Sequence, residues 1–134
     1  MIQLAYFSSA IRLFSEQELK SLLNQARTKN NKLNITGMLV YHDGAFVQFL
    51  EGEAKYVHKL YDRIQKDARH KGIIKLSEVT IEQRIFQDWD MAFMKVHQEE
   101  LEKFPSLKKV LTQADSKVAI NDLVDTFLTL ATYR

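Results

Sequence analysis

The chain has 134 residues, of which 46% are hydrophobic and 27% charged, enough for one folded domain with its own core and too few for two. Nineteen Lys and Arg residues against seventeen Asp and Glu residues give a net charge of +2 without a basic run, which argues against a dedicated nucleic-acid surface. The sequence contains no cysteine, which excludes disulfides, thiol nucleophiles and thiolate metal ligands.

The location of the protein is predicted from its ends and its apolar runs. The amino terminus lacks the basic leader and long apolar core of a signal peptide, and no apolar run is long enough to cross a bilayer. A chain without cysteine suits a reducing compartment. We therefore expect a cytoplasmic protein that does not bind a membrane.

The first part of the chain predicts a strand followed by a helix. Residues 2–7 alternate in the period-2 pattern of a β-strand, which places Tyr6 among apolar side chains on one face. Ser15 and Glu18 form a capping box, and apolar residues at helical spacing follow it. This pattern predicts a first helix that ends near Thr28.

A hairpin is predicted next, because Asp43 and Gly44 separate two β-rich segments. In the register of a two-residue turn, Gln48 pairs with Leu39 on the opposite strand. Alternation along the strand then places the long amide of Gln48 among apolar neighbours, namely Tyr41, Phe46 and Leu50.

The second half of the chain predicts a helix, two strands and two further helices. The helix carries an apolar stripe from Val57 to Ala68, with Gly72 as its stop signal, and residues 74–81 return to extended structure. The last two helical patterns cover residues 101–111, with an interruption at Pro105, and residues 120–131. A further short strand is predicted after residue 81 and before these two helices. Three large residues share one face of it, namely Trp89, Met91 and Phe93.

These elements predict an α+β fold of the ferredoxin-like type. The order βαββαββ gives a five-stranded sheet with two helices on one face and a two-helix C-terminal cap on the other. We expect residues 1–96 to form the core, and residues 97–134 to form a cap that belongs to the same domain.

Most enzyme chemistries find no support in the residue pattern. The four histidines show no ligand-type spacing, with His58 and His70 both assigned to the second helix, so no metal site is predicted. The four glycines are isolated, which argues against a phosphate loop, and no nucleophile elbow is present. We therefore predict no catalytic residue.

Three polar features remain: the phenol of Tyr6, the amide of Gln48, and a polar group near the end of the second helix. Each has a structural explanation when taken singly: a tyrosine at the core edge, a glutamine on a sheet edge, and a solvated helix end. Together with Asn30 they would surround a crevice between the two helices, which suits a flat heteroaromatic ligand with many hydrogen-bonding groups. The polar group consists of Arg63, Asp67, Arg69 and His70.

Four segments resemble the BLUF domain, a flavin-binding sensor of blue light. They are Asn34-Ile-Thr-Gly-Met-Leu-Val-Tyr41, Phe46-Val-Gln-Phe-Leu-Glu-Gly-Glu53, Asp67-Ala-Arg-His70 and Trp89-Asp-Met91. The resemblance extends from Met1 to about Val96, which makes residues 1–96 the BLUF flavin-binding core. The rest is similar to the helical cap of the short stand-alone members, without an attached cyclase, phosphodiesterase or DNA-binding domain.

The resemblance implies a photoreceptor, not an enzyme, that binds FAD noncovalently and signals to a protein partner not yet identified. Tyr6 matches the electron-donating tyrosine of the family, and Gln48 matches the glutamine between that phenol and the flavin. Trp89 and Met91 match the pair that passes the signal outward. Light is then expected to rearrange the hydrogen bonds of the Tyr-Gln-flavin network.

The same resemblance implies a set of cofactor contacts. Asn30 matches the asparagine that holds the ring edge, and Asn31 is a weaker candidate for the same position. The chain departs from the family at Ala26, where a small hydroxyl residue is common, and at Asp90, where serine is usual. The ring contacts do not separate FAD from FMN, and the resemblance implies FAD. The further implied contacts are Leu22, Leu23, Phe46, Gln48, Arg63, Ile64, Asp67 and His70.

Two other functions stay open from the residues alone. A flavin-dependent oxidoreductase would need a substrate or nicotinamide site, and the chain has no dinucleotide fingerprint. A ferredoxin-like module that binds a ligand or RNA would use Tyr6, Tyr41 and Phe46 as a stacking platform. For the photoreceptor we expect a homo-oligomer that associates through the added helices and binds neither nucleic acid nor a membrane.

Overall fold

The computed structural model describes residues 1–87 and 91–131. The elements in chain order are β1 (Ile2–Ala10), α1 (Glu16–Lys32), β2 (Thr36–His42), β3 (Ala45–Gly52), α2 (Ala54–Lys66), β4 (His70–Thr80), β5 (Ala92–Lys95), α3 (Gln98–Leu101), α4 (Pro105–Gln113) and α5 (Ile120–Ala131).

The five strands form one mixed sheet in the order β4-β1-β3-β2-β5. β1 pairs antiparallel with β3 and β4, β2 pairs antiparallel with β3, and β5 lies parallel to β2 at the sheet edge. The predicted ferredoxin-like α+β fold is confirmed. Helices pack on both faces of the sheet, so the side chains of β3 and of most of β1 are buried on either face.

Each face of the sheet carries its own apolar core. Ile2, Leu4 and Tyr6 pack with α1 and α2 on one face, whereas Ala5 and Phe7 pack with the C-terminal helices on the other. The period-2 alternation predicted for this strand is therefore confirmed. The C-terminal helices cover the face that α1 and α2 leave open, as expected.

The β2–β3 hairpin has the predicted register. His42 pairs with Ala45 across the turn, and Leu39 pairs with Gln48. Asp43 and Gly44 both have positive φ, 47° and 87°, which is the geometry of the two-residue turn that suits twisted strands.

Two helix ends differ from the prediction. The capping box of Ser15 and Glu18 is present, but α1 runs to Lys32 rather than to Thr28. The polar stretch was interpreted as a break, yet Asn30 is buried and its carbonyl accepts the N–H groups of Leu33 and Ile35, so the last turn packs against the domain.

The end of α2 is the larger correction. The helix ends at Lys66, because Asp67 is extended and its carboxylate accepts the N–H of Arg69 in a local turn. His70 therefore begins β4 instead of belonging to a helix. Gly72 is not a helix stop; it lies in β4 with a φ of 62°, where the pairing with β1 changes register.

The C-terminal region has one more helix than the predicted two. The single-turn α3 precedes α4, and Pro105 is the first residue of α4 rather than an interruption within a helix. In the predicted last strand, Met91 lies just before β5 and Phe93 lies within it, while Trp89 and Asp90 are outside the described residues.

No helix within residues 1–87 and 91–131 has the length and apolar character that crossing a bilayer requires. Within the same ranges, no group of three or more histidine, aspartate and glutamate side chains is placed to hold a metal ion.

Candidate functional site

A recess lies between α1 and α2 above the first three strands. Its volume is about 850 Å³ when the open space at its mouth is included. Aromatic and aliphatic side chains form its walls, and cationic side chains lie at its rim. The walls include Phe14, Leu22, Leu39, Phe46, Leu60 and Ile64, and the cationic residues are Lys29, Arg63 and Arg69.

Tyr6 and Gln48 meet at the floor of this recess. They are directly paired across β1 and β3, so their side chains leave the sheet on the same face. The Tyr6 hydroxyl donates a hydrogen bond to Gln48 Oε1, and the two residues are only 4% and 5% exposed. A phenol and an amide thus form a dry hydrogen-bonded pair on the ligand side of the sheet.

The phenol of Tyr6 is held in its protonated form. Burial raises the pKa of Tyr6 well above its ordinary value of 10.0, and the nearby Tyr61 and Asp67 raise it further. The proton needed for the hydrogen bond to Gln48 is therefore present throughout the neutral range.

Gln48 is also bonded on its other side. Its Nε2 donates to Sδ of Met91 at 3.3 Å, and Met91 is buried just before β5. A sulfur acceptor is weak, so this bond is readily exchanged for another. The chain of contacts runs from Tyr6 through Gln48 to the start of the edge strand β5.

α1 supplies one side of the recess, and only some of the cofactor contacts predicted on this helix face the recess. Asn30 is 1% exposed and lines the recess, whereas Asn31, one residue on, is exposed and does not. Leu22 lines the recess, whereas Leu23 is buried in the core beneath α1. Successive residues of a helix point about 100° apart, so only one member of each pair reaches the ligand side.

The segment after α2 closes the recess at its polar end. Hydrogen bonds from Arg69 to the carboxylate of Asp67 lower the pKa of that group to about 2. His70 contacts the Ser8 hydroxyl through Nδ1 at 3.0 Å and the Ile64 carbonyl through Nε2, which joins β1 to the end of α2.

The structure thus gathers most of the predicted contacts in one place. Ten of the residues that the sequence analysis placed around a ligand line the recess: Tyr6, Leu22, Asn30, Phe46, Gln48, Arg63, Ile64, Asp67, Arg69 and His70. Met91 joins the site through its contact with Gln48, and Ala26 also lines the recess. Trp89 is outside the described residues.

Sequence reasoning missed several lining residues. Two of them had a signal: Ser8 follows Tyr6 by two positions in the same strand, and Leu39 is the hairpin partner of Gln48. Gln25 and Lys29 were not expected to face a ligand, because the length of α1 and the packing of its last turns decide where they point.

The stacking platform considered for RNA is not available on this sheet. Tyr6, Tyr41 and Phe46 are 4%, 3% and 5% exposed, since α1 and α2 cover the face on which they lie. A base has no exposed aromatic surface to stack on there.

A dry floor with a phenol and amides, apolar walls and a cationic rim defines a sheet-based domain that binds a flat, polar-edged and anionic small molecule. The chain belongs to the BLUF family, described as sensors of blue-light using FAD, whose model matches residues 1–92. It is therefore a blue-light photoreceptor domain that uses FAD.

Relatives and solved structures agree with this assignment. The alpha subunit of a photoactivated adenylate cyclase from Euglena gracilis is 35% identical over 133 residues, which cover 99% of this chain and 12% of that protein. The photo-activated state of BlsA has a TM-score of 0.74 at 32% identity, covering 91% of this chain and 88% of that one. The dark state of BlrB, a BLUF protein, gives 0.73 at 27% identity, covering 93% and 96%.

The curated relatives are much longer than this chain. It spans 12% of the alpha subunit and 14% of a related beta subunit from Euglena longa. The similarity therefore concerns a small part of each of those proteins.

The residues of the recess fit FAD. The amides of Asn30 and Gln48 can donate to and accept from a heteroaromatic edge, and the aliphatic walls match its faces. Lys29 and Arg63 are cationic lining residues that could pair with the phosphates of its tail.

Proposed function

We propose that Tyr6 and Gln48 are the photoactive pair of this sensor, and that Met91 takes the signal to β5. The observation that carries the proposal is the unbroken chain of contacts from the Tyr6 hydroxyl to Gln48 Oε1, and from Gln48 Nε2 to Met91 Sδ. Every member of this chain is buried, so water does not compete for its hydrogen bonds.

The cofactor would be held by the lining residues described above. Asn30 and Gln48 would bond the edge of the ring, Leu22, Phe46 and Ile64 would contact its faces, and Arg63, Asp67 and His70 would surround the tail side. When bound, FAD supplies a blue-light-absorbing ring that is a strong oxidant in its excited state.

Tyr6 serves as the electron donor because it is the oxidisable group at the floor of the recess. With FAD bound, Tyr6 would give one electron to the excited ring and pass its phenolic proton to Gln48 Oε1, and both would return to Tyr6 at the end of the cycle. Gln48 alone in this chain of contacts both donates and accepts, so its carboxamide is left rotated or tautomerised.

A rotated carboxamide has a defined consequence at β5. Rotation exchanges the places of Oε1 and Nε2, so the donor that now faces Met91 Sδ is replaced by an acceptor. The difference amounts to one or two hydrogen bonds, on the order of 1–3 kcal/mol, which biases a two-state element without unfolding the domain.

The output is proposed to be a contact with a protein partner. Residues 1–96 would act as the sensing core and residues 97–134 as its cap, which also provides the surface for a homo-oligomer. We predict that the protein binds neither nucleic acid nor a membrane. Its cytoplasmic location also stays a prediction.

Absorption spectra of the FAD-loaded protein before and after blue light test the photoactive pair. Tyr6→Phe keeps the ring volume and removes the phenolic proton, and Gln48→Leu removes the amide. We expect both variants to bind FAD and to lose the reversible red shift of the wild type. Tyr61→Phe is the matched control, because the ring of Tyr61 lies 5.6 Å from that of Tyr6. This variant should show a normal red shift. A normal red shift in Tyr6→Phe would refute the electron-donor role.

A further inference from the structure

Arg27 connects the helix that lines the recess with the segment just before β5. It lies in α1, three residues before Asn30, and its Nε donates to the main-chain carbonyl of Met91 at 3.1 Å. The Arg27 side chain is partly buried along this path. A charged donor on a main-chain acceptor in such a setting is a stronger bond than a neutral one.

Met91 is thereby held at two points. Arg27 holds its main chain, and the amide of Gln48 holds its side chain. β5 follows at once, has four residues and pairs with β2 alone at the edge of the sheet. A short edge strand with one neighbour depends strongly on the bonds that fix the residue just before it.

We infer that Arg27 is a positioning residue for light signalling. It holds the start of β5 in the arrangement in which Met91 contacts Gln48, so that the order of β5 follows the state of the Gln48 carboxamide. Without this bond β5 is already less ordered in the dark. A change at Gln48 then causes only a small further loss of order in β5. This inference rests on the proposed roles of Gln48 and Met91.

Hydrogen–deuterium exchange of the β5 amides, measured on the FAD-loaded protein in the dark and under continuous blue light, tests the role of Arg27. Arg27→Met keeps the aliphatic stem and removes every donor, whereas Arg27→Lys keeps a donor and the charge. Lys32→Met removes the same charge from an exposed position of α1 and is the matched control.

In Arg27→Met we expect β5 to exchange about tenfold faster than wild type in the dark, as for the loss of one charged hydrogen bond. The light-induced change in β5 exchange should fall below about half of the wild-type change, because the strand is already open. The red shift should keep its full size. Arg27→Lys should restore most of the protection, and Lys32→Met should behave as wild type.

The inference is overturned if Arg27→Met exchanges like wild type in both states, or if Lys32→Met loosens β5 equally. Absence of a red shift in the wild type would instead overturn the proposed function. In that case the dark exchange of β5 in Arg27→Met still shows whether Arg27 holds β5. Should Arg27→Met not fold, Arg27→Ala also lacks every donor and favours the helix, and the same results are expected of it.

Discussion

Glu51 provides a quantitative test of how the segment before β5 is attached to the sheet. Its carboxylate is fully buried and accepts three hydrogen bonds: from Gln3 Nε2 at 2.9 Å, from the main-chain N–H of Ile85 at 3.0 Å, and from that of Phe86 at 2.7 Å. Glu51→Ala removes all three acceptor contacts at once.

The expected cost follows from these bonds. Hydrogen bonds to a charged group contribute about 1.5–3 kcal/mol each, and the main-chain donors of the variant regain only part of this from water. Each buried donor that loses its acceptor costs about 1–3 kcal/mol. We therefore expect Glu51→Ala to lower the free energy of unfolding by about 4 kcal/mol, and Glu51→Gln, which keeps one acceptor oxygen, by about 2 kcal/mol.

Urea unfolding of the FAD-loaded protein, followed by circular dichroism, measures these differences. Glu53→Ala is the control, because Glu53 is exposed and its side chain makes no capping hydrogen bond to α2, so its effect should stay within about 0.5 kcal/mol. The reasoning is refuted if Glu51→Ala costs less than about 1 kcal/mol, or if Glu51→Gln is as damaging as Glu51→Ala.

Three further predictions concern the sheet, the rim and the recess. Gly37→Ala should destabilise the fold by about 3 kcal/mol in urea unfolding, because its new Cβ would lie 1.9 Å from the main-chain oxygen of Phe49; an unchanged midpoint would contradict that close approach. The pKa of Asp67 is lowered from 3.8 to about 2 by Arg69, so its stabilising contribution is present above about pH 4 and is lost as the pH falls towards 2. Asp67→Asn should therefore be less stable than wild type at pH 7, with a gap that closes over this interval, and a gap independent of pH would disprove the assignment. Asn30→Ala should weaken FAD binding about tenfold in a fluorescence titration, as for the loss of a ring-edge amide, and unchanged affinity would remove Asn30 from the site.

Local patterns were sufficient for the parts of the site that lie on strands. The period-2 alternation placed Tyr6 on the correct face, and the turn at Asp43 and Gly44 set the register that brings Gln48 beside Leu39. Both signals act over a few residues, so they are readable from one sequence. The β1–β3 pairing that joins Tyr6 to Gln48 is not local, and the resemblance to a family supplied it.

The ends of the helices were not predictable in the same way. α1 continues past Thr28 because Asn30 is buried by tertiary contacts, and α2 stops before Asp67 because a side-chain turn competes with the helix. Arg27 gave no signal at all, since its partner Met91 is 64 positions away in the sequence. Contacts between distant segments decide these features, and composition and spacing do not encode them.

Infrared difference spectroscopy on FAD-loaded protein carrying isotope-labelled glutamine tests the central claim most directly, because it observes the carboxamide itself. Illumination should shift a label-sensitive carbonyl band in the wild type, and that band should be missing from the difference spectrum of Gln48→Leu. A wild type that shows its red shift without any label-sensitive band would contradict a rearrangement of Gln48.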